Sequence, residues 1–271
     1  MLIAVDTGGT KTLVASFSET GVLEKSRKFP TPTDTSEYIV ELTAAIRDIA
    51  AASPIDAIVI ALPGIVKDGI ALWCNNLGWK NFNVRVALQD LFPGVPLLVE
   101  NDANLAGLAE TRSLDPIPNS SLYVTISTGI GTGMITAGTI DPGLRLSEGG
   151  RIMIEFDGMV REWESFASGS AIHATYDKYA RDITDRSTWD QIADRISRGL
   201  LVLIPVIQPD VIIIGGSIGT YFDHYRDQLM ALLTERLPDH IAVPPCIKAT
   251  HPEEAVVYGC YYYALDSLIL S

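Results

Sequence analysis

The sequence predicts an α/β protein made of two similar lobes that face each other across a cleft. Short apolar runs such as "LIAVD", "DAIVIAL" and "VIIIGG" have the composition of buried strands, and longer segments repeat apolar residues at helical spacing. Both halves of the chain follow one order: strand, glycine loop, strand, hairpin, helix and strand. The duplication is one of topology and not of letters, and it predicts two lobes of the same architecture.

The first half begins with the strand "LIAVD", which runs directly into the loop "TGGT". "KTLVASFS" and "VLEKSRKF" follow as strands around the turn "ETG". The segment "EYIVELTAAIRDIAA" is predicted to be helical because its apolar residues recur three or four positions apart, after a cap at Thr35 or Ser36. "DAIVIAL" is then a buried strand.

The second half repeats this order with the strand "SLYVTIS", the glycine loop "TGIGTG" and a hairpin around Ala137-Gly138. Helical patterns in "EWESFASGSAIHATYDKYA" and "TWDQIADRISRGLLVLIPVIQ" precede the strand "VIIIGG". The last helix, "PEEAVVYGCYYYALDSLIL", is amphipathic and is expected to pack back on the first lobe. We therefore expect an N-terminal lobe over residues 1–112, a C-terminal lobe over 113–250 and a terminal helix over 251–271.

Composition and charge exclude several classes of protein. The chain has 271 residues, 47% of them hydrophobic, which is enough for a substantial core. A net charge of −13 disfavours binding to nucleic acid or to anionic membranes. We see no membrane span, no signal peptide and no disulfide or zinc pattern among the three cysteines. These features predict a cytoplasmic protein.

The loop "DTGGTKT" has features of a phosphate-binding site. Gly8 and Gly9 lack side chains, so a phosphate oxygen can approach their backbone N–H groups. Thr10 adds a hydroxyl donor and Lys11 a positive charge, while Asp6 can hold Mg²⁺ through water. A tight β-turn is the alternative interpretation, since glycine pairs are common in turns.

Two further glycine loops follow apolar strands. In "STGIGTG", Gly129, Gly131 and Gly133 alternate beside the hydroxyl of Thr128. In "IIIGGS", the site would be Gly215-Gly216-Ser217. Each could be a structural turn, but three such loops suggest that two bind the phosphates of a nucleotide and the third its adenosine.

The segment "LLVENDANLAGLAE" places polar residues where an apolar strand ends and a helix begins. Asn101 and Asp102 could simply cap that helix. They could also form a catalytic site, because open α/β sheets bind ligands at the carboxyl ends of their strands. Farther along the helix, Glu110 and Arg112 are expected on its surface.

Together these motifs resemble the ROK family of sugar kinases, in the actin/hexokinase-like superfamily. "DTGGTKT" and "TISTGIGTGMI" look like its two phosphate loops and "IIIGGSIG" like its adenosine loop. "ALPGIV" and "NNLGW" look like its sugar-side segments, and "ENDANLAGLAE" is the most specific match. The resemblance implies a two-lobed actin-like ATPase (ribonuclease H-like) fold, each lobe a mixed sheet flanked by helices, that closes on MgATP and a sugar.

The resemblance also assigns roles to individual residues. By match to "END", Asp102 is the general base that accepts the hydroxyl proton, and Asn101 binds a neighbouring sugar hydroxyl. Trp79 would either stack on the sugar or fill the lobe surface. The other implied sugar-binding residues are Gly64, Asn76, Glu148, Arg151 and Glu164. The implied nucleotide-binding residues are Gly8, Gly9, Thr10, Lys11, Thr128, Gly129, Gly131, Gly133, Gly215, Gly216 and Ser217.

The sequence departs from the family pattern in the segment "SEGGRIMIEFDGMVREWESFASGSAI". Many members carry a histidine and a cysteine-rich zinc motif here, whereas this chain has Arg151 at the histidine position and no cysteine. We therefore expect no structural zinc. Arg151 could donate to a neutral sugar, select an anionic one, or pair with Glu148, Glu155 or Glu162. The ion pair is the favoured interpretation because glutamates are dense nearby.

The expected function is transfer of the terminal phosphate of ATP, with Mg²⁺, to a hexose hydroxyl, as in a glucokinase. An N-acetylhexosamine, fructose or an anionic sugar could be the acceptor instead, and polyphosphate could be the donor. A non-catalytic sugar-binding regulatory protein is the alternative of another class. The expected partners are a sugar, a nucleotide and a second copy of the chain in a homodimer, with no nucleic acid and no membrane.

Overall fold

A computed structural model describes residues 1–51, 53–251 and 254–269. The chain divides into two compact units, the first formed by Met1–Ala109 with Glu254–Ser271 and the second by Glu110–Glu253. Within the described residues, no helix is long and apolar enough to cross a membrane.

In the described residues, the first unit contains a large sheet, a small sheet and three α-helices, and a further α-helix begins in it. In chain order these elements are β1 (Leu2–Thr7), β2 (Lys11–Phe17), β3 (Leu23–Pro30), α1 (Thr35–Ala50), β4 (Ala57–Leu62), β5 (Ile65–Lys67), β6 (Ile70–Cys74), β7 (Trp79–Asn83), α2 (Val84–Gln89), β8 (Leu97–Asn101) and α3 (Asp102–Arg112). The helix that completes this unit is the last one in the chain.

The second unit follows α3, and the chain then returns to the first unit. Its elements, followed by that last helix, are β9 (Ser120–Ile126), β10 (Ile130–Thr136), β11 (Thr139–Ile140), β12 (Met153–Phe156), β13 (Met159–Glu162), α4 (Glu164–Ala167), α5 (Gly169–Tyr176), α6 (Arg186–Ile207), β14 (Val211–Gly215), α7 (Gly216–Gly219), α8 (Phe222–Arg236), β15 (Cys246–Lys248) and α9 (Ala255–Ile269).

The two large sheets have the same topology. Their strand orders are β3-β2-β1-β4-β8 and β11-β10-β9-β14-β15. In each sheet the first two strands, β1 and β2 or β9 and β10, form an antiparallel pair. β4 and β8 are parallel to β1, and β14 and β15 are likewise parallel to β9. This confirms the duplication of topology and the mixed sheets predicted from the sequence.

Each unit has its own apolar core, which explains why the central strands read as continuous apolar runs. Every residue of β4 and of β14 is buried, as expected for strands covered on both faces. Helix α1 packs its buried residues, among them Leu42 and Ile46, into the first core. Trp163 and Trp189 are the largest side chains fully or almost fully buried in the second.

Three local predictions need correction. The cap of α1 is Asp34, whose Oδ1 accepts the N–H groups of the two residues after Thr35. The predicted loop "TGIGTG" is shorter than expected, because β10 begins at Ile130 and so contains Gly131 and Gly133. The predicted helix around "ESFASGSA" is two helices, since the backbone of Ser168 is extended and its hydroxyl caps α5.

Helix α9 belongs to the first unit, where it packs against α3. A side chain on Gly259 would overlap the backbone carbonyl of Leu105, so only glycine allows the two helices to approach this closely. Tyr261 stacks on Phe17 with ring centroids 5.3 Å apart.

Candidate active site

In the first unit, the loop of residues 8–10 is a closed turn between β1 and β2. The N–H of Gly8 donates to the carbonyl of Lys11 at 3.0 Å. Thr31 braces the turn from outside, because its N–H donates to the carbonyl of Thr10 and its hydroxyl to the carbonyl of Gly8. Lys11, whose carbonyl closes the turn, is the exposed first residue of β2.

Asn76 lies directly beside this turn. A Cβ atom on Gly9 would be 3.3 Å from the Cβ of Asn76, which is tighter than ordinary van der Waals contact. The structure thus brings the segment "NNLGW" to the first glycine loop. Trp79 does not line this surface: it is 3% exposed, its indole N–H donates to the carbonyl of Thr33, and its ring packs on Tyr38. It fills the core of the unit.

Asp6 stands one residue before the end of β1, next to the turn. Burial raises the pKa of its carboxyl to about 6, and the positive charge of Lys28 partly opposes this shift. Within the described part of the chain, no group of three or more His, Cys, Asp or Glu side chains could hold a metal ion. A single carboxylate still fits Mg²⁺, which usually keeps several waters and binds substrate phosphates as well.

Gly64 and Asn101 connect the segment "ALPGIV" to the start of α3. Gly64 has a φ of +83°, and a side chain there would overlap the carbonyl of Trp73. The carbonyl of Gly64 accepts a hydrogen bond from the Asn101 amide at 2.8 Å. The Oδ1 of Asn101 accepts the N–H of Asn104 at 3.0 Å, so Asn101 caps α3.

Asp102 is the first residue of α3 and is partly buried. The residue before Asn101, Glu100, is fully buried and holds this corner in place. Its Oε1 accepts the N–H of Asn101 at 2.8 Å and the side-chain amide of Asn104 at 3.0 Å. The partial positive charge at the helix N-terminus stabilises a carboxylate such as that of Asp102.

In the second unit, the turn of residues 127–129 joins β9 to β10. One segment contacts the turn itself, and a second contacts β10 just after it. The N–H of Gly169, at the start of α5, donates to the carbonyl of Ser127 at 2.6 Å. The N–H of Gly149, next to Glu148, donates to the hydroxyl of Thr132 at 3.0 Å. The hydroxyl of Thr132 therefore serves the fold, while Thr128 is exposed on the turn.

Arg151 is held by two carboxylates. Its Nη1 lies 2.6 Å from Glu162 and its Nη2 lies 2.9 Å from Oε1 of Glu164. The ion pair favoured by the sequence is thus present with Glu162, and Glu164 is a second partner. Glu155 has another role, since its carboxylate accepts the N–H of Gly158. Burial raises the pKa of Glu148. The positive charge of Arg151 opposes this shift, and the negative charge of Glu164 adds to it.

Packing requires the two glycines of the third loop. A side chain on Gly215 would overlap the hydroxyl of Tyr123, and Gly216 has a φ of +79°. A Cβ on Gly216 would also lie 2.5 Å from the carbonyl of Ile126. Ser217 is exposed in the short helix α7 that follows.

A sequence model of the ROK family matches residues 2–267. The chain belongs to the ROK family. It is 28% identical over 269 residues to a fructokinase of Pediococcus pentosaceus, covering 90% of this chain and 89% of that protein. It is 29% identical over 248 residues to an N-acetylmannosamine kinase of Shigella flexneri, covering 80% and 83%.

Solved structures agree on the fold of this ROK protein. A ROK family glucokinase from Streptomyces griseus, in complex with glucose and AMPPNP, superposes with a TM-score of 0.83. The match covers 98% of this chain and 99% of that one at 22% identity, which shows the two-lobed actin-like fold. Kinase-named relatives together with the family match support a sugar phosphotransferase.

The expected surface position of Glu110 in this ROK protein is wrong. Glu110 is 1% exposed, so it does not lie on the surface of α3. Its carboxylate accepts the N–H and hydroxyl of Thr250 and the N–H of His251. Arg112 is only partly exposed and donates to the carbonyl of Gly138. The sequence contains a signal for this burial, because Glu110, the last residue of "ENDANLAGLAE", stands on the apolar face of the helix.

Proposed function

We propose that this protein is an ATP-dependent hexose kinase of the glucokinase type, with Asp102 as its general base. The observation that carries the proposal is the corner at the start of α3. Glu100, Gly64 and Asn104 hold Asn101 by hydrogen bonds from several directions, and Asp102 follows it directly. A carboxylate on such a rigid support is suited to receive a proton from a bound hydroxyl.

The proposed reaction transfers one phosphoryl group. The carboxylate of Asp102 takes the proton of the sugar hydroxyl, and the hydroxyl oxygen forms a bond to the γ-phosphorus of ATP. The bond from that phosphorus to the bridging oxygen breaks, which releases ADP. Asn101 orients the sugar, and the turns of residues 8–10 and 127–129 orient the phosphates. A magnesium ion near Asp6 would neutralise phosphate charge when bound.

The charges around Arg151 favour a neutral acceptor over an anionic sugar. Its guanidinium already contacts Glu162 and Glu164, and Glu148 lies close enough to alter its charge balance. One arginine does not offset three glutamates, so this surface keeps a net negative charge even when Glu148 is protonated, and it would repel a carboxylate or phosphate on the sugar. Fructose and N-acetylmannosamine remain alternatives, because the relatives described above carry those substrates in their names.

A coupled phosphorylation assay over a panel of hexoses and N-acetylhexosamines, with ATP and polyphosphate compared as donors, tests the proposal. Asp102→Asn should lower kcat by about a hundredfold to ten-thousandfold, while sugar binding measured by calorimetry changes little. Asp90→Asn, at the exposed end of α2, is the matched control and should keep wild-type turnover.

Near-normal turnover of Asp102→Asn would show that another group is the base. A wild-type protein that binds sugars but phosphorylates none would favour the non-catalytic regulatory alternative. Preference for polyphosphate over ATP would correct the donor but keep the reaction class.

A further inference from the structure

Arg151 is linked to the turn of residues 127–129 through a single carboxylate. Oε1 of Glu164 contacts the guanidinium of Arg151 at 2.9 Å, and Oε2 accepts the backbone N–H of Ile130 at 3.0 Å. Ile130 is the first residue of β10, directly after the turn. We call Arg151, Glu162, Glu164 and the Ile130 N–H the arginine bridge.

Gly129 allows the carboxylate to approach the turn. A Cβ on this residue would lie 2.6 Å from Oε2 of Glu164, so the space that a side chain needs is occupied by the carboxylate. Its φ does not lie in the left-handed region, which means that close approach, and not backbone conformation, requires glycine here. The absence of a side chain at Gly129 thus serves Glu164.

In the part of the chain that the structure describes, the other hydrogen bonds of this turn are between backbone groups. Its own closure is a hydrogen bond from the N–H of Ser127 to the carbonyl of Gly129 at 2.9 Å, and Gly169 donates to the carbonyl of Ser127. Both are neutral backbone contacts, whereas hydrogen bonds to a charged group are about twice as strong. The carboxylate of Glu164 is therefore expected to be the strongest determinant of where β10 begins.

We propose that Arg151 is a positioning residue that holds Glu164 against this turn, and that the arginine bridge couples sugar binding to nucleotide binding. The second half rests on the proposed function, in which Glu164 contacts the sugar and the turn contacts a phosphate. A sugar hydroxyl that donates to Glu164 restricts its carboxylate, which also orders the Ile130 N–H and the turn. The nucleotide then binds a turn that is already ordered, and by linkage each ligand tightens the other equally.

Two variants test the bridge at different strengths. Arg151→Met removes the guanidinium, whereas Glu162→Gln weakens only the contact of Arg151 with Glu162 and leaves its contact with Glu164 in place. Amide hydrogen exchange at Ile130 should be about tenfold faster in Arg151→Met, since a charge-assisted hydrogen bond loses its support, and Glu162→Gln should show a smaller change in the same direction. This readout needs no substrate.

Calorimetry with AMPPNP, in the absence and presence of saturating glucose, tests the coupling. In the wild type, glucose should lower the Kd for AMPPNP by about fivefold or more, and in Arg151→Met this ratio should fall to about one. Arg161→Met is the matched control, because Arg161 directly precedes Glu162 on β13 but its guanidinium contacts Asp157 and the rings of Phe156 and Phe166. It should keep the wild-type ratio and wild-type exchange at Ile130.

The outcomes separate this inference from the proposed function. Wild-type exchange at Ile130 in Arg151→Met would overturn the positioning role, and an unchanged glucose effect on AMPPNP in that variant would overturn the coupling. The same changes in Arg161→Met would also refute the inference, because they would report general damage to the hairpin. A wild-type protein that phosphorylates no hexose, with fast exchange in Arg151→Met, would refute the function and support the bridge.

Discussion

Removal of the Glu110 carboxylate should destabilise the protein more than any ordinary surface change. The carboxylate is 1% exposed and accepts three hydrogen bonds. Two come from the N–H and hydroxyl of Thr250, at 2.7 and 2.9 Å, and one from the N–H of His251 at 2.7 Å. It therefore fastens the end of α3 to a segment about 140 residues later in the chain.

The contacts set the size of the effect. Hydrogen bonds to a charged group each contribute about 1.5–3 kcal/mol to the free energy of unfolding. Because Thr250 is exposed, water can replace part of what is lost, so the lower value applies. With three such bonds at about 1.5 kcal/mol each, Glu110→Ala should reduce the free energy of unfolding by about 4–5 kcal/mol. Glu110→Gln keeps one acceptor oxygen and should lose roughly half as much.

Urea denaturation followed by circular dichroism measures both variants against the wild type. Glu235→Ala, on the exposed surface of α8, is the control and should stay within about 0.5 kcal/mol of it. A loss below about 1 kcal/mol in Glu110→Ala would refute the reasoning, because it would mean that these hydrogen bonds are replaced by water at almost no cost. Equal losses in Glu110→Ala and Glu110→Gln would show that charge, and not the number of acceptors, is decisive.

Three further predictions concern stability and reactivity. Gly199→Ala puts a methyl group into the buried ring of Trp163 and should lower the free energy of unfolding by about 2 kcal/mol despite alanine's better helix propensity; a more stable variant in thermal unfolding would contradict this. Burial raises the pKa of Asp6 to about 6 from an ordinary value of 3.8. Its ionisation therefore lowers the free energy of unfolding progressively as the pH rises from about 4 to about 6, and by a constant amount above that. Asp6→Asn should accordingly be more stable than the wild type at pH 7.5, by about 3 kcal/mol, and equal to it at pH 4, in urea denaturation with EDTA. The three cysteines are buried, so a thiol reagent should react with Cys74, Cys246 and Cys260 only after the protein has been denatured.

Elements that depend on local pattern could be predicted from the sequence. Strands β4 and β14 are apolar at every position because both faces are covered, and that composition is visible without a structure. The hairpin predicted around Ala137-Gly138 is confirmed, because both residues have positive φ, as a two-residue hairpin turn requires. Equal element order in the two halves was enough to predict equal sheet topology.

Contacts that depend on the register of distant segments could not be predicted. The density of glutamates near Arg151 indicated an ion pair but not its partners. Met153 pairs with Glu162 across the β12–β13 hairpin, and this register brings Glu162 to Arg151. Glu155 instead accepts the N–H of Gly158 at the tip of the hairpin. A shift by one residue would have exchanged the faces of these side chains.

Glu110 shows the limit of helical periodicity. The pattern of α3 places a charged residue on the surface by default, because burial of an unpaired carboxylate is unfavourable. Thr250 and His251 remove that penalty by supplying three donors, and they come from a segment that periodicity cannot connect to α3. A charged residue on the apolar face of a helix is therefore better interpreted as a sign of a distant partner than as an error in the pattern.

The glycine loops show why the choice of residue for a binding test matters. Glycine suits a phosphate, but Gly129 is also required by Glu164, and Gly215 by Tyr123. Loss of nucleotide binding on substitution of either glycine would therefore report a displaced neighbour as readily as a lost phosphate contact. The hydroxyl groups of Thr10 and Thr128 are exposed on their turns, so replacement by valine removes a donor at nearly constant volume. Weaker AMPPNP binding in those two variants, with unchanged thermal stability, would be specific support for phosphate binding at both turns.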